Sequence, residues 1–358
     1  MRQLILLNQG WQYIPEWRDE FLDPGITVEG FERVNLPHAN KEIPYNYFDE
    51  KDYQFISCYR RTFTYQDSWA GKKVYADFDG VMAYGEVYLN GKLVGSHKGG
   101  YTPFAVDLTA ELKRGENTLV VKVDSTERSD IPPFGYVIDY LCYGGIYRDV
   151  YLRIVDLVFI ENIYAKPKKV LEEKKELETT VFLNNTMAEE TSLNVTVKLT
   201  KDGELIAEGS FGTVVKPGKS SLDIVLSDLE GIELWDLDNP NLYHVEVTIS
   251  DSAGIKDSYT TRIGFREAVV KPDGFFLNGR KVMLRGLNRH QAFPYVGYAM
   301  PARVQRRDAD ILKYELCLNA VRTSHYPQSP HFLDRCDEIG LLVFEEIPGW
   351  QHIGDKDW

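Results

Sequence analysis

The chain has no C-x-x-C pair. Cys58, Cys142, Cys317 and Cys336 stand singly, which excludes a zinc cluster or a dithiol redox motif. Long apolar runs are missing as well. The N-terminal run Leu4-Ile5-Leu6-Leu7 is too short for a signal core or a membrane span, so free thiols in a reducing cytoplasm are the expectation. Positive charge is scarce: 41 Lys and Arg face 54 Asp and Glu, a net −13. A surface of that sign repels phosphate backbones and anionic lipid, so no nucleic-acid or membrane partner is expected. No glycine-rich phosphate loop, G-x-S-x-G elbow or H-E-x-x-H helix occurs, which removes the common phosphate-binding, esterase and metalloprotease readings.

What is plentiful is tyrosine, 22 residues within a 13% aromatic share. Such rings suit half-buried strands, and their apolar faces also suit sugar rings. A length of 358 residues exceeds what one core organises, so several domains are expected.

Residues 1–154 read as short strands between turns. Val87-Tyr88-Leu89, the turn Asn90-Gly91 and Lys92-Leu93-Val94 form a hairpin signal, because a type I′ turn needs two residues tolerant of positive φ. Leu119, Val121 and Val123 alternate with Val120, Lys122 and Asp124 at the period of a sheet. With no credible helix in this stretch, a jelly-roll β-sandwich is predicted. Residues 155–264 begin with a charged run at 166–175, read as a loop or edge strand. Clean alternation follows at 193–199 and 243–249, and an immunoglobulin-like sandwich without a disulfide is predicted.

From residue 265 the pattern changes. A hairpin turning at Asn278-Gly279 delivers Val282-Met283-Leu284, read as a buried strand. Pro301 then opens a helix carrying Val304, Ala309, Ile311, Leu312 and Leu316 at helical spacing. A strand at 319–322, a helix at 330–339 capped by Gly340, and the strand 341–344 follow. Strand, helix, strand, helix, strand over 265–358 is the opening of a (β/α)8 barrel. Three parallel strands cannot close one, so either the chain continues beyond Trp358 or the segment stands as an open half-layer.

Four motifs carry a resemblance. The stretch Asn319-Ala320-Val321-Arg322-Thr323-Ser324-His325-Tyr326-Pro327, followed by Asp337, Gly340 and four apolar residues, resembles the glycoside hydrolase family 2 signature. Asn288-Arg289-His290 resembles that family's first barrel-strand motif. Gly144-Gly145-Ile146-Tyr147-Arg148-Asp149-Val150 resembles an element of its sugar-binding domain. The run from Trp235-Asp236 to Asn239-Pro240-Asn241-Leu242-Tyr243 is similar to a stretch of its middle domain. The resemblance implies a retaining glycosidase cleaving terminal β-D-galactosides, with β-glucuronidase or β-mannosidase as alternatives in the same family. A non-catalytic carbohydrate-binding scaffold of two sandwiches is the reading from a different class.

By the same resemblance His290, His325, Arg322 and Asn288 lie at the C-terminal rim of neighbouring barrel strands and support the transition state. There imidazoles can bond sugar hydroxyls more strongly as the ring flattens. Asp139, flanked by Tyr136, Tyr140 and Tyr143, would reach substrate hydroxyls from the sugar-binding domain. Glu345 and Glu346 are adjacent on a strand, point to opposite faces and cannot flank one glycosidic bond. No catalytic residue is therefore expected in the chain; the acid/base and nucleophile glutamates are expected downstream of Trp358. Magnesium-using members place a carboxylate and a histidine after the third strand, whereas this chain has Trp350 and His352. Magnesium prefers oxygen ligands, so no magnesium, other metal or cofactor is expected, and Trp350 becomes a candidate wall for a sugar. The expected partner is a β-galactoside or related oligosaccharide, and the resemblance leaves a homo-oligomer open.

Overall fold

The computed structural model describes residues 1–26, 29–132, 138 and 140–350. The first unit is a sandwich of two antiparallel sheets. Its larger sheet includes the hairpin strands Tyr84–Leu89 and Lys92–Lys98 beside Glu116–Asp124 and Ile56–Thr64. The facing sheet places Val150–Val155 between Gln3–Leu6 and Lys73–Phe78. The alternation seen in the sequence has a direct physical meaning. Leu119, Val121 and Val123 point into one core with Val74, Ala76, Leu152 and Ile154 of the facing sheet. The turn at Asn90-Gly91 has both residues at positive φ, as a type I′ hairpin requires.

The middle unit pairs a three-stranded sheet (Val158–Lys168, Lys175–Asn185, Gly218–Leu229) with a four-stranded one (Glu204–Val215, Thr191–Lys201, Tyr243–Asp251, Gly254–Ile263). Leu193, Val195, Val197 and Leu199 meet Leu177, Val181 and Leu183 in its core, an immunoglobulin-like arrangement. The charged run at 166–175 proves to be neither wholly loop nor a separate strand. Its first residues complete the edge strand Val158–Lys168, Lys169 turns at positive φ, and Lys175 opens the next strand. Lysines on an edge oppose strand addition by another chain.

The third unit starts with a small meander, Ala268–Lys271, Gly274–Leu277 and Arg280–Val282. This corrects the expectation of a buried strand at 282–284: Met283 is 72% exposed and Leu284 48%. The first parallel strand, β1, is Gly286–Arg289, and a short apolar run beside a turn could not distinguish the two. Strand β1 pairs in parallel with β2 (Ala320–Thr323), which pairs in parallel with β3 (Leu342–Glu345). Helix α1 (Ala302–Asp310) follows β1 and runs into a wider π turn, Ile311–Glu315. Leu316 is thereby left 49% exposed rather than continuing the apolar stripe. Helix α2 (Pro330–Ile339) connects β2 to β3. Ala309, Leu312, Phe332, Cys336 and Ile339 pack on Val321, so this face of the sheet is covered by helices. The alternate residues Asn288, Arg322 and Phe344 stand in one cross-strand row on the other face.

The units are keyed together. Trp235 is fully buried, and its Nε1 donates to the Asp337 carbonyl of α2 at 2.7 Å. Gly340 ends α2 at φ +72°, and a Cβ there would lie 2.3 Å from the Leu237 carbonyl oxygen, so the middle sandwich approaches closer than any other residue permits. Arg262 of the middle sandwich and Arg306 and Arg335 of the barrel helices converge on Glu338. Among the described residues no helix is long and apolar enough to cross a membrane.

Candidate carbohydrate site at the barrel rim

Parallel pairing sends the C-terminal ends of β1 and β2 to the same edge. His290 directly follows β1, and His325 lies two residues beyond β2. Their rings meet edge to face, with centroids 5.3 Å apart. Tyr140, from the first sandwich, lies against both rings, at 5.4 Å from His290 and 5.5 Å from His325. Three segments distant in sequence thus share one small volume.

His325 is buried, and its Nδ1 is 2.9 Å from Glu346 Oε2. Arg322 forms an ion pair with the other oxygen of the same carboxylate and brings Nη2 within 3.4 Å of His325 Nδ1. Glu346 therefore ties together two of the candidate residues. Glu345 turns elsewhere and accepts the Gln328 backbone N–H at 3.0 Å, in keeping with the opposite faces of adjacent strand residues. Trp350 stacks on His325 with ring centroids 4.8 Å apart and planes 20° from parallel. An indole offers no oxygen to a magnesium ion. Among the described residues no group of three His, Cys, Asp or Glu is arranged to hold a metal. Asn288 is exposed on β1, in register with Arg322 of β2. Asp139, Tyr136 and His352 lie outside the described residues. Tyr143 packs with Tyr53 and Tyr298, apart from the two histidines.

Several residues that complete the site had no role assigned to them in the sequence. Arg148 of the first sandwich is 7% exposed. It donates to Gln291 Oε1 at 3.2 Å and to the Pro327 carbonyl at 2.7 Å, and it also reaches the carbonyls of Asp79 (3.4 Å) and Tyr101 (3.3 Å). One guanidinium thus bolts the loops that follow β1 and β2 to the sandwich. Tyr101 stacks on Tyr326 at 4.2 Å with planes 6° apart. Tyr326 OH lies 3.3 Å from His290 Nδ1. Arg289, between two site positions, points to the helical side instead. It pairs with Asp308 at 2.7 Å and stands over the Phe332 ring at 4.1 Å. The signal for Arg148 was its place inside a recognised motif, but only a fold shows which carbonyls it meets.

Known proteins match the chain from end to end. Three models match in succession: the glycosyl hydrolases family 2 sugar binding domain over residues 28–155, glycosyl hydrolases family 2 over 158–266, and the family 2 TIM barrel domain over 268–356. The chain belongs to glycoside hydrolase family 2. This family 2 chain is 51% identical, over its full length, to half of a β-galactosidase from Thermoanaerobacterium thermosulfurigenes. It is 33% identical to a β-glucuronidase from Bacteroides fragilis, over 97% of the chain and 50% of that protein. Its fold superposes on the crystal structure of a Bacteroides uniformis β-glucuronidase with a TM-score of 0.89 at 30% identity, covering 98% of the chain and 42% of the other. The chain spans about half the length of the curated relatives it matches.

Proposed function

We propose that this chain is the substrate-binding front of a retaining glycoside hydrolase that cleaves terminal β-D-galactosides. The observation behind the reading is the contact of His290 and His325, 5.3 Å apart at the rim of adjacent parallel strands. Rim residues are where this architecture places its chemistry. Two imidazoles, the Arg322–Glu346 ion pair and the Trp350 indole offer hydrogen bonds and an apolar face, which together suit a pyranose.

Hydrolysis with retention needs one carboxylic acid to protonate the leaving oxygen and a second carboxylate to form the glycosyl-enzyme that water releases. Glu345 and Glu346 point apart and are engaged in other bonds. In this proposal both catalytic glutamates come from the part of the protein beyond Trp358. His290, His325, Arg322, Asn288 and Asp139 bind and orient the sugar, without magnesium at Trp350. The first sandwich takes jelly-roll topology in this reading, and the enzyme is cytoplasmic, in accord with its four free thiols. A β-glucuronidase is the second reading, favoured by the likeness to the Bacteroides uniformis enzyme.

Hydrolysis of an aryl β-galactoside, compared between this chain and the complete parent protein, tests the proposal. Turnover by the complete protein alone is expected, with His325→Ala reducing it at least tenfold, about 1.4 kcal/mol of transition-state stabilisation. Turnover by the shorter chain overturns the assignment of the glutamates. Cleavage of glucuronides in place of galactosides overturns the substrate and leaves the rest.

A further inference from the structure

We propose that a cleft between the two sandwiches is a second carbohydrate site, separate from the histidine pair, which binds an uncharged oligosaccharide without cleaving it. The inference goes beyond the proposed function and does not depend on which glycoside the barrel cleaves.

The cleft has a volume of about 470 Å³, within the range of roughly 300–1,000 Å³ typical of small-ligand sites. One wall is the outer face of the four-stranded sheet that holds Lys73–Phe78 and Val150–Val155. Ala76, Leu152 and Ile154 enter the core beneath, so the alternate residues Asp77, Tyr151 and Arg153 face outward. The opposite wall is the middle sandwich, through Asn162 of Val158–Lys168 and Tyr259 of Gly254–Ile263. None of the residues that line the cleft takes part in the contacts around His290 and His325.

Its surface divides into an apolar strip and a polar edge. Leu4 and Leu6 stand opposite Arg153 and Tyr151 in the pairing of Gln3–Leu6 with Val150–Val155, and they are 59% and 55% exposed. Leucines on the outward face of an edge strand leave apolar surface in water. The Tyr151 ring continues the strip. Its hydroxyl is anchored to Asp149 at 3.1 Å, and among the described residues no other ring lies against it. Beside it Arg153 pairs with both oxygens of Asp77 at 2.6 and 3.0 Å and lies over the Tyr75 ring at 4.6 Å, which fixes the plane of its remaining N–H donors. Asp79 also lines the cleft. Among the described residues no hydrogen bond or ion pair reaches its carboxyl. A largely buried acid without a partner is poorly solvated, and the hydroxyl of a ligand supplies the missing bond.

These features select by chemistry. A sugar ring has an apolar C–H face for Tyr151 and the leucines, and a rim of hydroxyls for Arg153, Asp77, Asp79 and Asn162. An anion finds no cation to spare, because Arg153 is matched by Asp77 and Arg2 by Asp257 at 2.9 Å. A cation finds Glu161 already paired with Lys219 at 2.6 Å, and burial disfavours the charged form of Asp79. For a hydrolase such a site holds a long substrate close to the barrel, which raises its effective concentration.

Methyl NMR of the chain, grown with labelled leucine, reads the cleft directly, and the Leu4 signals are assigned by their absence in Leu4→Met. Titration with β-1,4-galactotetraose or cellotetraose, both neutral, should shift the Leu4 signals in the wild type and equally in His325→Ala. Tyr151→Ala should weaken that binding about tenfold. A tetramer of galacturonic acid should bind at least about tenfold more weakly than the neutral sugar. Leu4 signals unmoved by both neutral sugars would overturn the proposal, as would a shift that disappears in His325→Ala, which places the ligand at the rim. Equal binding of the galacturonate overturns the assignment to an uncharged ligand. Leu4 signals that move with protein concentration in place of sugar overturn it in favour of a second copy of the chain. The wild-type titration decides the matter even if Tyr151→Ala fails to fold. Because no step needs turnover, failure to cleave galactosides would remove the proposed function and leave this site standing.

Discussion

Replacing Arg148 by Met removes a guanidinium while nearly preserving the volume it fills, so cavity formation is a small part of the effect. Four acceptors lose a donor: Gln291 Oε1, and the carbonyls of Pro327, Tyr101 and Asp79. The bonds at 2.7 and 3.2 Å are the well-formed ones. Hydrogen bonds to a charged group are worth roughly 1.5–3 kcal/mol each. Relief of the buried charge offsets part of that loss, which leaves a net cost of about 2–4 kcal/mol. The damage is local, because the two loops lose their bolt while the sandwich cores are untouched. Hydrogen exchange resolved by peptide suits this case, since it reports the two loops separately from the sandwich cores. Segments 290–297 and 324–329 should exchange about 30- to 1,000-fold faster, at about 1.4 kcal/mol per decade, with core strands such as Glu116–Asp124 unchanged. Wild-type exchange in both loops would show that Arg148 does not hold them.

The contact between the first sandwich and α2 should weaken as pH rises. Burial, reinforced by Asp149, pushes the Asp79 carboxyl up to about 6 from its ordinary 3.8. The hydrogen bond to Asp149 raises His331 above its ordinary 6.5. Both groups contribute stability when protonated, and that contribution is lost as pH climbs through their folded values. Thermal midpoints should therefore fall between pH 5 and 8, and Asp79→Asn should flatten the fall; a flat wild-type profile would contradict this. Glu338 behaves in the opposite sense. Its carboxyl is held down to about 2, first by the hydrogen bond from Arg306, so its contribution is present above about 4.5 and lost as pH falls toward 2. Gly340→Ala should destabilise the chain by more than about 1 kcal/mol, because positive φ and the Leu237 carbonyl both oppose a Cβ. Urea unfolding with a wild-type midpoint would refute that.

Much of this protein is written locally. Alternation at 119–123 and 193–199 specifies which side chains enter a sandwich core, because a two-residue period leaves one face to bury. Asn90-Gly91 and Gly340 specify a turn and a helix end through backbone freedom alone. The motifs at 288–290 and 319–327 specify that two histidines follow neighbouring strands. Where local pattern was ambiguous, the reading slipped. The apolar residues at 282–284 drew the reading away from the strand Gly286–Arg289, whose face opposite the helices carries Asn288 rather than a hydrophobe.

Only the tertiary structure decided what those histidines touch. Glu346 binding both Arg322 and His325, Tyr140 lying against both imidazoles, and Arg148 spanning to Gln291 and Pro327 join residues 21 to 185 positions apart. Periodicity and propensity describe how a segment presents its own side chains. They carry no information on which distant segment will be brought to meet them, because that follows from how the sandwich and barrel layers pack. The residue types at the rim were legible in the sequence, whereas their hydrogen-bond partners were settled by packing.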